Sequence, residues 1–349
     1  MNANLVITEK INQEEWENFL LGFPRPPFLQ SWYMREVHET VGESSLLIGV
    51  KEDNILIGVA FVVIVRAKRG HFFYLPYGPV FQMHKWQYVP ELTQYVVKKA
   101  KELNIDFIRS SPFIVDAKDN RALYYRAGWR RAPLHMLAEH VWWLDITPAE
   151  DTLLVGMRKT MRNLIRRATR DGVTIRMSKN PDDVEHFIRI HKSTVERHGF
   201  VPYKDDFFRA QFRAFVKADQ VAMFLAEYEG KVIAAAMIMF YGDMASYHHG
   251  ASLSEFQKIP ASYLLQWEAI REAKRRGCLA YNFWGIVPEN KMRSRITRRP
   301  HPFAGVTTFK TGFGGERIDL LPCQDYPIRS KYYLTRIIET ARRIKRGFW

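Results

Sequence analysis

The sequence predicts an α/β fold in two consecutive units, on three observations. The chain has 349 residues, more than one hydrophobic core usually serves. Its composition, 47% hydrophobic and 26% charged, is that of a folded globular protein. Short β-type runs alternate with longer helical periodicities, and one succession occurs twice: helix, helix, hairpin, strand, helix, strand. The repeat is one of topology, not of letters.

In the first unit, residues 13–21 read as a short helix with Trp16 and Phe19 on one face. Phe28-Leu-Gln-Ser-Trp leads into a second helix, with Ser31 as its cap. Residues 45–50 and 55–66 are strands, and Glu52-Asp53-Asn54 makes the turn between them. Phe72-Phe-Tyr-Leu-Pro-Tyr-Gly-Pro is a strand running into a Pro/Gly break. A helix at 89–103, a strand at 106–109 and a short helix closing at 124–129 follow, and 141–146 is the unit's last strand. In the second unit Thr147 reads as a helix cap, with Pro148 and Glu150 in the first turn. A basic helix runs to about Arg170, followed by a strand at 173–177 and a helix at 182–197. A hairpin turns at Glu229-Gly230-Lys231. A strand at 245–250, a long helix at 261–276 and a strand at 280–285 complete the repeat.

Charge divides the units. Residues 1–150 hold 17 Lys/Arg and 17 Asp/Glu, whereas residues 151–349 hold 35 and 20 and carry the whole net charge of +15. The second unit should attract polyanions: nucleic acid, phosphorylated substrates or an anionic membrane. The longest apolar run, Ile55 to Val65, is too short to span a bilayer. Residues 1–10 read as neither a signal nor a transit peptide. Two cysteines, Cys278 and Cys323, form no disulfide or metal framework, so a cytoplasmic location is expected. No metal site, P-loop, dinucleotide fingerprint or Gly-x-Ser-x-Gly elbow is visible. His248-His249 sits in a strand, which should send the two rings to opposite faces.

Three basic segments stand out. Arg158, Arg162, Arg166 and Arg170 recur every four residues, the spacing of one helical face. Such a stripe is either a solvated face or a polyanion site, and few acidic residues are near enough to neutralise it. The loop with Lys291, Arg293, Arg295, Arg298 and Arg299 is the second. The third, residues 342–349, joins Lys/Arg to a terminal Phe and Trp, a pairing that suits a membrane interface or nucleic acid. A different feature is Val306-Thr-Thr-Phe-Lys-Thr-Gly-Phe-Gly-Gly. It reads as a β-like run that turns at glycines, and Lys310 in it either points to solvent or meets an anion or carbonyl.

Tyr247-His-His-Gly-Ala-Ser, Pro260-Ala-Ser-Tyr-Leu-Leu-Gln-Trp-Glu-Ala-Ile, Tyr281-Asn-Phe-Trp-Gly-Ile and Phe309-Lys310-x-Gly-Phe-Gly-Gly occur in that order. The set resembles the Fem-type peptidoglycan bridge-forming aminoacyltransferases. Phe28-Leu-Gln-Ser-Trp, Leu75-Pro-Tyr-Gly-Pro and Met157-Arg-Lys-Thr-Met-Arg extend the resemblance over nearly the whole chain.

The resemblance implies two tandem acetyltransferase-like (GNAT) domains with mixed sheets and no coiled-coil insertion. They would span 1–147 and 148–321, with residues 322–349 packing back on the first. It implies transfer of an amino acid from aminoacyl-tRNA to an amine of a lipid-linked or UDP-linked muropeptide, in cell-wall biosynthesis. It implies no metal or cofactor, and a monomer with peripheral contact at the inner face of the membrane is expected. Phe309 and Lys310 match the pair implicated in transfer. His38, Ser111, Arg197, Tyr203, Lys204 and Tyr247 fall at precursor-binding positions. Arg158, Arg162, Arg166, Arg293 and Arg295 would meet tRNA. At two places the chain departs from the family: His38 stands where a phosphate-binding lysine is expected, and Ser111 where an aspartate is. The alternatives are an acyl-CoA N-acyltransferase of the same fold, acting on an envelope sugar or amino acid, and a non-catalytic tRNA- or membrane-binding module. The first would want a glycine-rich pyrophosphate loop, and residues 255–262 contain no glycine.

Overall fold

The computed structural model describes residues 4–67, 70–198, 203–293 and 300–346. Along the chain come β1 (Leu5–Thr8), α1 (Gln13–Leu21), α2 (Trp32–Thr40), β2 (Ser44–Glu52), β3 (Ile55–Ala67), β4 (Gly70–Pro76) and β5 (Val80–Phe81). Next are α3 (Val89–Glu102), β6 (Phe107–Ser111), α4 (Lys118–Arg126), β7 (Arg130–Arg131) and β8 (His140–Asp145). Then follow α5 (Glu150–Gly156), α6 (Lys159–Arg170), β9 (Thr174–Ser178), α7 (Val184–His198), α8 (Asp205–Val216), β10 (Val221–Tyr228), β11 (Lys231–Tyr241) and β12 (Met244–Ser252). Last come α9 (Ala261–Arg275), β13 (Ala280–Gly285), α10 (Ala304–Thr311), β14 (Glu316–Asp319), β15 (Gln324–Pro327) and α11 (Lys331–Arg346).

Two mixed sheets organise these elements. The first has the order β1-β2-β3-β4-β6-β15-β7, with β5 paired to β3, and the second the order β14-β8-β13-β12-β11-β10-β9. Each contains one parallel pair, β4 with β6 and β12 with β13, amid antiparallel neighbours. The β2–β3 hairpin turns at Asp53 and Asn54, both at positive φ, and the β10–β11 hairpin at Glu229-Gly230, as their turn residues predict.

The first sheet is completed by a strand, β15, that follows the whole second sheet in sequence. The strand expected to close the first unit, residues 141–146, is β8, and it pairs with β13 and β14 in the second sheet. Its pattern His140-Val-Trp-Trp-Leu-Asp identifies a strand but not which sheet it joins. The matching place in the first sheet, beside β6, is taken by β15.

The two halves share one core. Trp16, Leu20, Phe28 and Met34 cluster with Phe207, Phe212, Phe215, Met237 and Tyr241. Glu17 is buried at this seam and accepts from Ser31 Oγ (2.9 Å), the Trp32 N–H (2.6 Å) and Tyr241 O–H (2.9 Å). Burial pushes its pKa up, and these three donors oppose the shift. A second buried charge cluster holds the chain's last strand and helix. Arg109 on β6 donates to both oxygens of Asp325 on β15 (2.7 and 2.8 Å) and of Glu339 on α11 (3.1 and 2.7 Å).

Arg109→Met should therefore cost far more than a surface ion pair, about 3–5 kcal/mol, because two carboxylates stay buried without a partner. Denaturant unfolding monitored by tryptophan fluorescence checks it, and a loss below about 1 kcal/mol would mean that water already reaches the cluster.

Candidate active site

Strands β12 and β13 hydrogen-bond as a parallel pair at Met244↔Ala280, Ala245↔Tyr281 and Ser246↔Asn282, and then part. Both are irregular where they part. On β12 the register against β11 shifts between His249 and Tyr247, which makes His248 an extra, bulged residue. On β13 the register against β8 shifts between Asn282 and Gly285, and Trp284 adopts a φ of 67°. That conformation costs a bulky residue about 1–3 kcal/mol. The Trp284 N–H meets Asn282 Oδ1 at 2.8 Å and holds it there. Residues 247–250 and 284–286, where the strands part, are half-buried.

The bulge corrects the expectation for His248 and His249. Their rings do not point to opposite faces: the centroids are 3.9 Å apart. His249 Nε2 pairs with Gln211 Oε1 at 3.0 Å, and the His248 ring lies against Phe28 and Trp284, each at 4.8 Å. Burial lowers the pKa of both, that of His248 to about 3, so both are neutral imidazoles at neutral pH.

Residues 306–310 form no β-run and no hairpin; they lie in helix α10. Val306, Thr307 and Thr308 look like a strand by letter, but the threonines suit this helix through their hydroxyls. Thr307 Oγ1 donates to Phe303 O and Thr308 Oγ1 to Ala304 O, both at 3.1 Å. Thr307 Oγ1 also accepts the Val287 N–H at 2.9 Å, which ties α10 to the chain just after β13. The turn after the helix needs Gly315: its φ is 96°, and a Cβ there would lie 2.2 Å from the Trp143 carbonyl oxygen on β8.

Lys310, in the last turn of α10, is only 7% exposed. Its Nζ donates to the Gly285 carbonyl at the mouth of the parted strands (2.7 Å) and lies 5.8 Å from the Tyr247 ring centroid. Burial alone brings its pKa from 10.5 to about 7, and no carboxylate among the described residues offsets the loss of hydration. The same burial lifts the Tyr247 hydroxyl to about 12, so that group stays a neutral donor. Gly250 makes room for the Tyr247 ring, since a Cβ there would fall 1.8 Å from the hydroxyl oxygen. Phe309 packs edge-on against Tyr263 (5.1 Å) and Phe313 (5.4 Å) and anchors the helix.

The remaining predicted residues divide into those the fold gathers and those it does not. His38 on α2 bonds Glu43 (Nδ1–Oε2 2.6 Å), and its ring touches Phe61 and Phe207. Tyr203 stacks on Phe207 at 4.5 Å and reaches the His249 ring at 6.1 Å. Rings thus run from Tyr203 through His249, His248 and Trp284 to the carbonyl that holds Lys310. Lys204 precedes α8 and, with Arg213, borders a groove of about 750 Å³ between α2 and α8. Among the described residues neither has an ion-pair partner. Ser111 is buried at the end of β6, bonded to Tyr74 OH (3.2 Å). The Arg197 side chain and all of Arg295 lie outside the described residues.

The helix expected from Thr147 to about Arg170 is two helices, and the arginine stripe lies on the second, with Arg158 at its N-cap. The helix predicted from Thr147 begins at Glu150, and the chain breaks at Met157 between α5 and α6. Arg162 is turned inward to close that break: Nη1 donates to the carbonyls of Leu154, Val155 and Met157 at 3.2, 2.9 and 2.7 Å. It is a helix cap and is withdrawn from the solvent-facing row. Arg158 instead joins the candidate site, its N–H on Gly312 O (2.9 Å) and Nη2 on Thr311 Oγ1 (3.2 Å), just past Lys310. Arg166 and Arg293 are exposed.

Two mixed sheets, each with one parallel pair amid antiparallel neighbours, the second of which parts at its end, define a tandem GNAT-fold protein. Sequence and structure comparisons agree. A model described as an acetyltransferase (GNAT) domain matches residues 156–292, and one described as the FemAB family matches residues 11–122. The structure is similar to the crystal structure of FemX, with a TM-score of 0.79 at 18% identity over 96% of this chain and 100% of that one. It is also similar to a tandem GNAT protein of clavulanic acid biosynthesis, with a TM-score of 0.56 at 11% identity over 94% and 99%. A UDP-N-acetylmuramoylpentapeptide-lysine N(6)-alanyltransferase of Weissella viridescens is 29% identical over 150 residues. That stretch is 42% of this chain and 44% of the relative's length. The chain has the tandem GNAT fold, with a FemAB-family match in its first half and a GNAT-domain match in its second.

Lys310→Met tests the burial of the amine. Unfolded lysine holds its proton up to about pH 10.5, while the folded chain releases it near 7, so unfolding between those values takes up a proton. The parent's stability relative to the variant should therefore rise with pH across that window, and the variant should be the more stable of the two at pH 6. Thermal melts of both proteins from pH 6 to 10 check this; parallel curves would mean a solvated lysine.

Proposed function

We propose that this protein transfers an amino acid from aminoacyl-tRNA to an amine on the stem peptide of a peptidoglycan precursor. One observation carries the proposal: a lysine amine buried without a counter-ion at the point where β12 and β13 part. The acceptor nitrogen attacks the ester carbonyl carbon, and the carbonyl oxygen takes up negative charge. When the C=O re-forms, the C–N amide bond remains and the ester C–O bond breaks. The departing ribose oxygen receives the proton that the amine gives up. The oxyanion supplies the partner that Lys310 lacks. Its arrival draws the proton back onto the amine, so the stabilisation appears where charge develops and not before. The ester already holds the energy for the step, so neither a metal nor a cofactor enters the proposal.

Both proposed substrates are polyanions. Arg158, beside α10, would meet the tRNA end nearest the chemistry, with Arg166 and Arg293 further out. Lys204 and Arg213 border the groove next to His38 and Tyr203 and suit the phosphates of the precursor. His38 is held by Glu43, so it suits a positioning role better than that of the lysine it replaces. The relative's acceptor is nucleotide-linked and its acceptor amine a lysine; a precursor of that class, UDP-linked or lipid-linked, is the acceptor proposed. Catalysis takes place in the cytoplasm, with peripheral contact at the membrane.

Two experiments test the reading. Purified protein is incubated with mixed aminoacyl-tRNAs and a UDP-linked muropeptide, with mass spectrometry as readout. Ribonuclease should abolish the product; transfer that survives it with acetyl-CoA as donor would reassign the chain to the acyl-CoA class. Under saturating substrates, Lys310→Met should lower kcat by about two to three orders of magnitude, the scale of a lost oxyanion donor, with a small change in KM. Lys310→Arg should not restore it, because a planar fork does not reproduce a compact ammonium on the Gly285 carbonyl. A collapse of affinity with kcat preserved would make Lys310 a precursor ligand instead.

A further inference from the structure

Helix α11 is built the wrong way round for a helix that merely covers a sheet. Its buried face is polar: Tyr332, Thr335 and Glu339 turn inward, with Glu339 on the Arg109 guanidinium and Tyr332 O–H on Asp325 at 3.1 Å. Its outward face is apolar. Tyr333, Leu334, Ile337 and Ile344 are 58%, 60%, 67% and 69% exposed. At 100° per residue these positions, with exposed Ala341 between them, fall on one side of the helix, opposite the buried three. Lys345 and Lys331, the latter 3.4 Å from Asp106, border that stripe on one side, and Arg343 and Arg336, whose Nη1 donates to Arg131 O and Tyr332 OH, on the other. The helix has one acidic residue, Glu339, and Arg109 neutralises it inside.

We infer that α11 docks the protein flat on an anionic lipid bilayer, with Leu334, Ile337 and Ile344 in the acyl boundary and the flanking cations at the headgroups. The pattern of an apolar stripe between two basic rows matches what such a surface offers, an apolar interior beneath a layer of negative charge. It matches other partners less well. Nucleic acid gives aliphatic side chains nothing to bury against. A second copy would lay two rows of like charge against each other with no exposed carboxylate on either helix to relieve them. The Arg109 cluster has a part in this as well. A helix with most of its apolar side facing outward has the Tyr332 ring on Phe107 and little else apolar to bury, and the buried ion pairs hold it from the polar side. The inference gives the peripheral membrane contact of the proposed function an address, and it does not depend on the reaction being aminoacyl transfer.

Vesicle flotation of the full chain tests it, using phosphatidylcholine vesicles with and without roughly 30 mol% phosphatidylglycerol, the anionic component that draws basic segments to the surface. The protein should float with the anionic vesicles and not with the neutral ones. The triple variant Leu334→Gln, Ile337→Gln, Ile344→Gln alters exposed positions only, so it should melt like the parent. Its partition onto anionic vesicles should fall at least about tenfold, since three buried aliphatic side chains are lost from the contact. Arg336→Gln with Arg343→Gln should also weaken partition and flatten its salt dependence. Absence of the parent from anionic vesicles, or equal flotation of the triple variant, would overturn the inference. A dimer in solution that the triple variant dissolves would overturn it in favour of self-association, and loss of tRNA binding by that variant in favour of nucleic acid. Transfer to a soluble UDP-linked acceptor should be unchanged in the triple variant. That arm separates the docking surface from the chemistry: its failure in the parent would count against the reaction and leave the vesicle result standing.

Discussion

When two paired strands separate, their backbone groups lose their partners, and a folded chain must satisfy them by other means. The candidate site is the solution adopted between β12 and β13. The Gly285 carbonyl takes the Lys310 ammonium, and the Trp284 N–H takes the Asn282 side chain. The extra residue at His248 moves two imidazoles to the same side. Helix α10 then has to lie across the opening for Lys310 to reach. Thr307 pins it to the strand end, and the glycines behind it press the turn onto β8. Chemistry and architecture therefore have a common origin in one place where hydrogen bonding stops.

The electrostatic state of this site follows from solvation more than from charge pairing. A buried amine with a carbonyl for company sits near the midpoint of its titration at neutral pH, and it is sensitive to whatever anion arrives. Neutral histidines beside it add polarity without competing for that anion. The chain's excess of cations is spread over exposed positions such as Arg166 and Arg293, where it acts at long range on substrates still in solution.

Much of this was legible in the letters. Hairpins announced themselves through Asp53-Asn54 and Glu229-Gly230, because only certain residues accept those turns. The amphipathic helices and the apolar strands followed from period. What the letters hid was decided by partners distant in sequence. Val306-Thr-Thr reads as a strand until the two hydroxyls find carbonyls of the preceding turn. Arg162 reads as one of a row until the break at Met157 leaves three carbonyls for it to satisfy. Periodicity cannot show a bulge, so His248 and His249 were assigned opposite faces. Nothing in the letters marks Trp284, since a bulky residue is a rare choice at positive φ and the Asn282 side chain that holds it there is visible only in the structure.

The late position of β15 has a consequence for how the chain comes into being. As it leaves the ribosome, β6 emerges with one edge unpaired, and the strand that covers that edge, β15, is made only after the whole second sheet. The backbone edge of residues 107–111 is therefore unpaired through most of synthesis, when neighbouring nascent chains are closest. The first half cannot finish folding on its own schedule; it waits for the last part of the message. A ribosome that stalls anywhere between β8 and β15 would release a protein whose first sheet still has an open flank, so the fidelity of late elongation bears on the solubility of a sheet made early.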